Sequence, residues 1–204
     1  MSKRALLIFT RNPEYGKVKT RLAKTIGSHK ALAIYKFLLT HTAKITHNLQ
    51  VDKFVYYSEN IWPEDVWESR CYQKRLQHGD NLGVRMKNAF EEAFNENYEQ
   101  VVIIGSDNYD IGAAHIEKAF KKLNAHDVVI GPAEDGGYYL LGLNFLITDI
   151  FYNKQWGNPT VLQDTLAQLD DYKLHQLQSL NDVDVYEDIA HNPVFEPFLK
   201  PLNQ

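Results

Sequence analysis

Two hydrophobic periodicities alternate along the chain. Short runs of consecutive apolar residues are typical of strands that a sheet buries on both faces. Five such runs and a weaker sixth predict strands at residues 5–10, 53–58, 101–104, 128–130, 138–143 and 172–178. Longer segments between them repeat apolar residues every three or four positions, as amphipathic helices do. They predict helices at residues 28–49, 82–97 and about 116–123, and from Asn158-Pro159 onward, where proline suits a helix start.

The alternation of strands and helices predicts the fold class. It is typical of a three-layer α/β/α sandwich with a mostly parallel mixed sheet. The Glu-Asp-Gly-Gly sequence at residues 134–137 separates two close apolar runs, which favours one antiparallel element there. No linker, repeat or low-complexity tract interrupts residues 1–204, so we expect a single domain. In open α/β sheets ligands bind beyond the carboxyl ends of the strands, so the residues after each run are the candidates for function.

Composition narrows the function classes. The 204 residues are 44% hydrophobic with a net charge of −4, which excludes a disordered chain and argues against a nucleic-acid partner. The single cysteine, Cys71, can form neither an internal disulfide nor a cysteine zinc site. No apolar run approaches the roughly 18 residues needed to span a bilayer. We therefore expect a cytoplasmic soluble protein without a membrane span.

The loop after the first predicted strand is rich in cations. Residues 10–22 contain Arg11, Lys17, Lys19 and Arg21 but only one acid, Glu14. Arginine grips phosphate with parallel hydrogen bonds and lysine acts as a point charge, so the loop suits an anionic ligand. The glycine patterns of P-loops and dinucleotide-binding folds are absent, so phosphate binding would depend on side chains. The alternative is a solvated surface loop, as charge runs usually are.

An aspartate follows the third predicted strand. Asp107 stands in the sequence Gly-Ser-Asp at the end of a buried run, where a carboxylate needs a partner. Mg²⁺ is a suitable partner because it takes oxygen ligands and keeps several waters. The cation would then bridge Asp107 to the phosphates of a nucleotide. Alternatively, Asp107 caps a helix that begins near Gly112.

Two later segments also carry acids. Asp135 precedes the glycine pair Gly136-Gly137, which permits a close backbone approach to a ligand or forms a β-turn, and both can hold. Asp184 belongs to an Asp-x-Asp sequence at residues 182–184 that could chelate a metal. The neighbouring acids at residues 187 and 188 are better interpreted as the acidic first turn of a helix.

Taken in order, these segments resemble a known family. The sequences FTRNPEYGKVKTRLAKTIG, QHGDNLGVRM, VVIIGSDNYDI, GPAEDGGYYLLGL and DVDVYEDI follow one another along the chain. They resemble the GT-A-like transferases described as radical-SAM/selenodomain-associated glycosyltransferases, formerly a domain of unknown function. The resemblance extends over residues 5–190. It implies a nucleotide-diphospho-sugar transferase fold, whose members include glycosyltransferases and nucleotidyltransferases.

The resemblance also implies roles for individual residues. Arg11, Lys19 and Arg21 would handle the nucleotide phosphates, and Asp107 would bind the divalent metal. The turn at residues 135–137 would line the acceptor or nucleotide site. The chain departs from the family pattern at Asn108-Tyr109, where a small residue and proline are usual, and at residues 157–159, where the family favours Ser-Thr-Pro. Loss of the first proline is expected to loosen the turn that orients Asp107.

These observations lead to one functional hypothesis. We expect a Mg²⁺- or Mn²⁺-dependent transferase that uses a nucleotide-sugar or an NTP and a small acceptor, and a homodimer is one expectation for its assembly. The predicted catalytic residues are Asp107 and Asp135, and the predicted metal ligands are Asp107 and Asp184. The predicted nucleotide or phosphate ligands are Arg11, Lys17, Lys19, Arg21, Gly136 and Gly137. The alternative is a non-catalytic nucleotide- or metabolite-binding module on the same fold.

Overall fold

A computed structural model describes residues 3–200, in which seven strands form one mixed sheet. The strands are β1 (Arg4–Thr10), β2 (Asp52–Tyr57), β3 (Gln73–Leu76), β4 (Gln100–Gly105), β5 (Val128–Pro132), β6 (Tyr138–Leu143) and β7 (Leu174–Gln176). Their order across the sheet is β3-β2-β1-β4-β6-β5-β7. Only β6 runs antiparallel to its neighbours, β4 and β5. The predicted mostly parallel mixed sheet is therefore confirmed.

Helices cover both faces of this sheet. The helices of the described residues are α1 (Thr20–Ile26), α2 (Ser28–Thr46), α3 (Leu82–Asn95), α4 (Ala113–Leu123), α5 (Val161–Ala167) and α6 (Glu196–Leu199). Of these, α1 and α6 pack against α2 rather than against the sheet. Side chains along β1 alternate between two buried clusters: Leu6 and Ile8 pack with α2 and α4, and Leu7 packs with α3. All three side chains are fully buried. A strand covered on both faces explains the continuous apolar run in the sequence, and the three-layer sandwich is confirmed.

Three short elements were absent from the sequence prediction. Helix α1 and helix α6 are 7 and 4 residues long, too short to show a clear apolar period. Strand β3 lies at the sheet edge and has no apolar run, because its residues are only partly buried. The predicted helix start at Asn158 is three residues early, since α5 begins at Val161. The backbone there is held instead by a hydrogen bond from the Leu162 N–H to the Gly136 carbonyl.

The reversed strand brings an additional loop to the functional edge of the sheet. Leu140 of β6 pairs with Ile104 of β4 and with Gly131 of β5. The start of β6 therefore lies beside the ends of β4 and β5, although it is the amino end of its own strand. The sequence prediction of one antiparallel element is confirmed, and residues 133–137 lie at this edge with the loops after β1 and β4.

Membrane insertion through a helix has no support in residues 3–200. No helix in this part of the chain combines the length and the apolar character that a bilayer crossing requires.

Candidate functional site

A cavity of about 580 Å³ opens at the carboxyl ends of β1, β2 and β4. This is the edge at which ligands bind in open α/β sheets. Three cationic side chains line the cavity, Arg11, Lys17 and Arg85, together with three carboxylates, Glu59, Asp80 and Asp107. The position of the Arg85 guanidinium group is fixed by a hydrogen bond that its Nε donates to the Gly79 carbonyl at 2.9 Å. Lys17 is paired with Glu14 at 2.6 Å and lies 3.6 Å from Glu59, so Arg11 and Arg85 are the cations of this cavity best placed to meet an anionic ligand.

The floor of this cavity is a buried hydrogen-bond network. The Tyr35 hydroxyl accepts from the Arg11 N–H at 2.9 Å, and it also contacts the Thr10 hydroxyl. Ser106, at the end of β4, donates to the same Thr10 hydroxyl at 3.1 Å. Asn12 is only 3% exposed and donates to the Asn60 carbonyl at 2.7 Å. The loop that carries the cations is thus fixed to the ends of three strands rather than free in solvent.

A lysine and an aspartate form an ion pair between two loops. The Lys19 Nζ lies 2.7 Å from the Asp107 Oδ2, although 88 positions separate them in the chain. The Lys19 side chain is 6% exposed, whereas the Asp107 side chain is 41% exposed. The backbone of Lys19 is left-handed, with φ of 48°, a conformation that costs a non-glycine residue on the order of 1–3 kcal/mol. Strain of this kind is often found at functional sites, where the surrounding structure maintains it.

Both members of the pair remain ionised. Burial lowers the pKa of Lys19, but Asp107, Asp184 and Asp182 outweigh it, so the pKa of Lys19 is raised. Burial raises the pKa of Asp107, but Lys19 and Arg11 outweigh it, so the pKa of Asp107 is lowered. At neutral pH the site therefore presents a fixed ammonium beside a carboxylate that water and ligands can still reach.

The turn after Asp107 is anchored without a proline. Asn108 is 2% exposed; its Oδ1 accepts from the Ile111 N–H at 2.8 Å and its Nδ2 donates to the Asp182 Oδ1 at 2.7 Å. Tyr109 packs against Phe37 and Phe195, at ring-centroid distances of 5.7 and 5.3 Å. Two side chains, Asn108 and Tyr109, therefore hold this turn in place of the proline, and whether the turn is looser than in the family stays a prediction.

Asp107 does not cap a helix. Helix α4 begins at Ala113, and its N-terminal cap is Gly112, whose N–H donates to the His115 ring. The Asp107 carboxylate is engaged by Lys19 instead. The partner that the structure shows for Asp107 is Lys19, and the binding of Mg²⁺ by Asp107 stays a prediction.

Two acids from the segment after β7, Asp182 and Asp184, lie close to the loops that carry Lys19 and Asp107. Arg21 Nη1 lies 2.9 Å from the Asp184 Oδ2, and both side chains are well exposed. Asp182 accepts a hydrogen bond from Asn108, the residue that follows Asp107. Burial and the negative charge of Asp107 raise the pKa of Asp182 to about 7. Sequence reasoning chose Asp184 and missed Asp182, because an Asp-x-Asp pattern does not show which carboxylate approaches the β4 loop.

The acids at residues 187 and 188 lie in the first turn of a short 3₁₀ helix, as the sequence indicated, and Asp188 has a structural role. The Asp188 Oδ2 accepts from the N–H groups of Asp184 and Val185, both at 2.7 Å. Asp188 ends a short 3₁₀ turn at Tyr186–Asp188. It therefore fixes the backbone that carries Asp184.

A second, smaller cavity of about 180 Å³ lies next to the first. The two share Leu82, at the start of α3. The second cavity is lined by Leu82, Met86, Asp135, Gly137, Tyr138, Trp156, Gly157, Asn158, Val161 and Asp182. It is formed by the turn before β6, the segment before α5 and the first turns of α3.

The glycine pair builds the wall of this second cavity. Gly136 has φ of +88°, and a Cβ placed on it would lie 2.1 Å from the Pro159 carbonyl oxygen. The Asp135 Oδ1 accepts from the Gly137 N–H at 2.9 Å, which closes the turn. Both uses that the sequence left open for this segment are therefore compatible: a tight turn presents Asp135 to a cavity.

The predicted site residues separate into two groups. The first group lines a further cavity of about 230 Å³. It consists of the four predicted cations, Arg11, Lys17, Lys19 and Arg21, and of Asp107 and Asp184. Asp135 and Gly137 line the second cavity instead, and Gly136 packs against Pro159 behind it. The sequence reasoning missed Tyr35 and Arg85 as site residues, because a tyrosine on a helical stripe and an arginine on a helix carry no local sign of a cavity.

The acids fit a divalent cation that a nucleotide helps to hold. Within residues 3–200 no three His, Cys, Asp or Glu side chains form a ready metal cage. Mg²⁺ is usually bound through one or two carboxylates, with phosphates and waters completing its shell. Asp107 offers a partly exposed carboxylate, and Asp184 lines the same cavity. The donors are hard oxygen ligands of the kind that Mg²⁺ and Mn²⁺ accept.

A solved structure resembles this chain in both sequence and fold. A protein of Desulfovibrio desulfuricans G20, provisionally assigned as a nucleotide-diphospho-sugar transferase, is 34% identical to this chain, with a TM-score of 0.84. The similarity covers 91% of this chain and 84% of that one. No curated protein matches the chain.

More distant structures share the fold alone. A CMP:2-keto-3-deoxy-manno-octonic acid synthetase complexed with CTP is 11% identical, with a TM-score of 0.53 over 90% of this chain and 94% of that one. The Rv0371c protein of Mycobacterium tuberculosis H37Rv, in complex with manganese, is 10% identical, with a TM-score of 0.54 over 98% of this chain and 99% of that one.

The fold of the chain is thus that of nucleotide-diphospho-sugar transferases and cytidylyltransferases. The profile of the DUF2064 family, described as uncharacterized proteins conserved in bacteria, matches residues 41–158. The matched segment includes the β4 loop with Asp107 and the turn with Asp135. The chain belongs to the DUF2064 family.

Proposed function

We propose that the protein is a metal-dependent transferase that uses a nucleotide-sugar or an NTP as donor. The observation that carries this proposal is the Lys19–Asp107 ion pair, which stands beside a cavity lined by cations at the carboxyl edge of the sheet. A buried ammonium next to an accessible carboxylate is suited to a diphosphate and its counter-cation. The similarity to transferases of this fold supports the same conclusion.

The cationic side chains would stabilise charge that develops during transfer. Negative charge accumulates on the leaving phosphate or diphosphate as its bond breaks, and preorganised positive groups lower the barrier. Arg11, Lys19 and Arg85 supply such groups from three different elements of the fold. Asp107, with Asp184 or Asp182, would hold Mg²⁺ or Mn²⁺, whose added positive charge further neutralises the phosphates.

Asp135 would act on the other side of the transferred group. Its carboxylate lines the second cavity, beyond the Lys19–Asp107 pair, and it is fixed by the turn hydrogen bond to Gly137. We assign it to the acceptor side, where a carboxylate can orient a hydroxyl and take up its proton. Gly136 and Gly137 then serve the nucleotide indirectly, by shaping the turn.

Two kinds of transfer remain within the proposal. In glycosyl transfer the acceptor oxygen attacks the anomeric carbon and a nucleoside diphosphate leaves. In nucleotidyl transfer the acceptor oxygen attacks the α-phosphorus of an NTP and pyrophosphate leaves. Pyrophosphate release from one of the four NTPs, in the presence of candidate acceptors, separates the two.

Thermal shift against NTPs and nucleotide-sugars tests the proposal. Each compound is measured with Mg²⁺, with Mn²⁺ and with a chelator. A ligand at 100 times its dissociation constant adds about 2.7 kcal/mol to the free energy of unfolding, which shifts the melting temperature by several degrees. We expect at least one metal-dependent shift. A shift that chelation leaves unchanged, without turnover, would support the non-catalytic binding module, and no shift with any nucleotide would contradict both functions.

The same substitution at two different lysines provides a test of binding with its matched control. Lys19→Met removes the ammonium beside Asp107 and should abolish the nucleotide-dependent shift. Lys24→Met removes an exposed lysine from helix α1 and should leave the shift intact. Circular dichroism of both variants checks that each is folded before binding is compared.

Further expectations from the sequence belong to the same proposal. We propose one catalytic domain over residues 1–204, in a cytoplasmic protein that acts on a small acceptor. Association into a homodimer and a connection with radical-SAM or selenodomain proteins stay predictions, to be tested by light scattering and by co-purification.

A further inference from the structure

The two cavities differ in the charge of their walls. The first cavity has three cations among its lining residues, and these offset its three carboxylates: Arg11, Lys17 and Arg85 against Glu59, Asp80 and Asp107. The described residues that line the second cavity include no lysine, arginine or histidine, but they include Asp135 and Asp182. Asp135 is exposed at the mouth of this cavity. A phosphate group is therefore better suited to the first cavity, and the exposed Asp135 carboxylate would repel it from the second.

The other walls of the second cavity are aromatic and apolar. The rings of Tyr138 and Trp156 meet edge to face, with centroids 6.4 Å apart and planes at 84°. Met86 and Val161 add aliphatic surface. Aromatic faces pack well against the C–H groups of a ring, and carboxylate oxygens accept hydrogen bonds from hydroxyls.

Trp156 is a fixed part of this wall. A Cβ placed on Gly83, in the first turn of α3, would lie 2.5 Å from the Trp156 Nε1 and 2.3 Å from the Phe151 carbonyl oxygen. The indole therefore lies directly against the helix backbone, in space that only glycine leaves open. A preorganised aromatic surface loses little conformational entropy when a ligand binds.

The second cavity is small and adjoins the reacting groups. Its volume of about 180 Å³ is below the 300–1,000 Å³ typical of drug-sized ligands, which restricts it to about one ring. It meets the first cavity at Leu82, and Asp182 connects it through Asn108 to the loop of Asp107. A ring bound here would lie next to phosphates bound in the first cavity.

We infer that the second cavity binds an unphosphorylated, hydroxyl-bearing ring, and that Asp135 excludes phosphorylated compounds from it. The role of this subsite in catalysis rests on the proposed function, since the ring would be the sugar of the donor or the acceptor itself. In both cases the phosphates of the reaction stay in the first cavity.

Paired probes test this inference on the full chain. Glucose, galactose, mannose, N-acetylglucosamine, ribose and myo-inositol are each titrated by calorimetry alongside a monophosphate of the same compound. UDP-glucose is titrated alongside UDP with Mg²⁺. We expect at least one ring to bind at least tenfold more tightly than its monophosphate, or UDP-glucose to bind at least tenfold more tightly than UDP.

The two arms distinguish the source of the ring. Binding of a free ring identifies the acceptor, and a gain confined to UDP-glucose identifies the sugar of a donor. Trp156→Ala should remove the gain in either arm. Monophosphates that bind as tightly as their parent rings, no binding in either arm, or an unchanged gain in Trp156→Ala would each overturn the inference.

A conservative substitution separates the charge of Asp135 from its hydrogen bond to Gly137. Asp135→Asn keeps an oxygen that can accept from the Gly137 N–H, but it removes the negative charge. In this variant the monophosphate of the bound ring, or for a donor sugar its 6-phosphate, should gain at least tenfold in affinity while the ring itself changes little. Glu134→Gln, at an exposed neighbour outside the cavity, is the matched control and should keep the wild-type preference. Equal preferences in wild type and Asp135→Asn would overturn the role of Asp135.

Failure of this inference is distinguishable from failure of the proposed function. Nucleotide binding is measured with the panel of NTPs and nucleotide-sugars and depends on Lys19, whereas ring selection depends on Trp156 and Asp135. Free-ring binding without any nucleotide binding would refute the transferase and leave the subsite standing. Metal-dependent nucleotide binding with unselective ring binding would refute the subsite and leave the proposed transferase function standing.

Discussion

The two cavities at the edge of the sheet are built by different physical means. The first depends on contacts between distant segments, such as the pair of Lys19 with Asp107 and the bonds of Asn12 to residues 59–60. The second depends on local backbone shape, where Gly136 lies against Pro159 and Gly83 lies against Trp156. The first should therefore be sensitive to changes of charge, and the second to the addition of single methyl groups.

Loss of the Asp107 charge should have the largest effect. Asp107→Asn removes the partner of Lys19 and the predicted metal ligand, so turnover should fall by at least on the order of 10²–10³. The measurement is the initial rate with the donor identified by thermal shift. Asp110→Asn, at an exposed position in the same loop, should keep the wild-type rate. A wild-type rate in folded Asp107→Asn would show that the charge at Asp107 is dispensable.

Addition of a methyl group at Gly136 should have the second-largest effect, because it disturbs the turn that forms the wall of the second cavity. Gly136→Ala introduces a Cβ 2.1 Å from the Pro159 oxygen at a φ of +88°, so the free energy of unfolding should fall by about 2–3 kcal/mol. Gly157→Ala has a similar φ of +89° but nothing within 4 Å of the new Cβ, so it should cost about 1 kcal/mol. Urea unfolding of both variants measures the difference. Equal costs would mean that contact with Pro159 does not shape the turn.

Loss of Arg21, which lines the cavity of about 230 Å³, should weaken nucleotide binding by less. Arg21 is 66% exposed and pairs with Asp184 at 2.9 Å, so solvent screens its charge. Arg21→Ala should weaken nucleotide binding by about tenfold, equivalent to about 1.4 kcal/mol. The loss should shrink as salt is raised from 50 to about 300 mM, because exposed charges are screened. A salt-independent loss would place Arg21 in direct, desolvated contact with the nucleotide.

A pH effect outside both cavities should be the smallest. Burial, and after it the charges of Lys122, His126 and Lys118, lower the pKa of His175 in strand β7. The unfolded chain takes up a proton at this histidine below about pH 6.5, whereas the folded chain resists it. Stability from this group is therefore present above pH 6.5 and declines as the pH falls toward the lowered pKa.

Substitution of His175 checks this pH dependence. His175→Gln should flatten the decline in urea-unfolding free energy between pH 7.5 and pH 5.5. Nucleotide binding at pH 7.5 should be unchanged, because His175 lines neither cavity. A pH profile identical to that of wild type would mean that the ring titrates alike in the folded and unfolded chains.

Elements with strong periodicity could be predicted from the sequence. Strand β1 is fully buried on both faces, which is why its apolar run was recognisable, and α2 and α3 begin at the predicted residues 28 and 82. Strand β3 and helix α1 could not be found, because edge exposure and short length remove the periodic signal. The helix start predicted at Asn158 was wrong because a tertiary contact with Gly136 outweighs the local preference of proline.

Site residues followed the same division. The position of Asp107 after a buried strand and of the cations after β1 could be read from strand ends alone. The pairing of Lys19 with Asp107, and the approach of Asp182 to Asn108, join residues 88 and 74 positions apart. Local pattern contains no information on such pairs. The anchoring role of Asn108 was also missed, because it depends on a carboxylate from the far end of the chain.

The reversed direction of β6 has a consequence for how this fold can diversify. A turn of residues 133–137, rather than a crossover helix, connects β5 to β6 and delivers Asp135 to the ligand edge. A turn can change length or sequence while the parallel strands that lead to the proposed phosphate-binding groups keep their register. Acceptor preference could therefore drift between related proteins, or be redesigned in the laboratory, with donor recognition preserved.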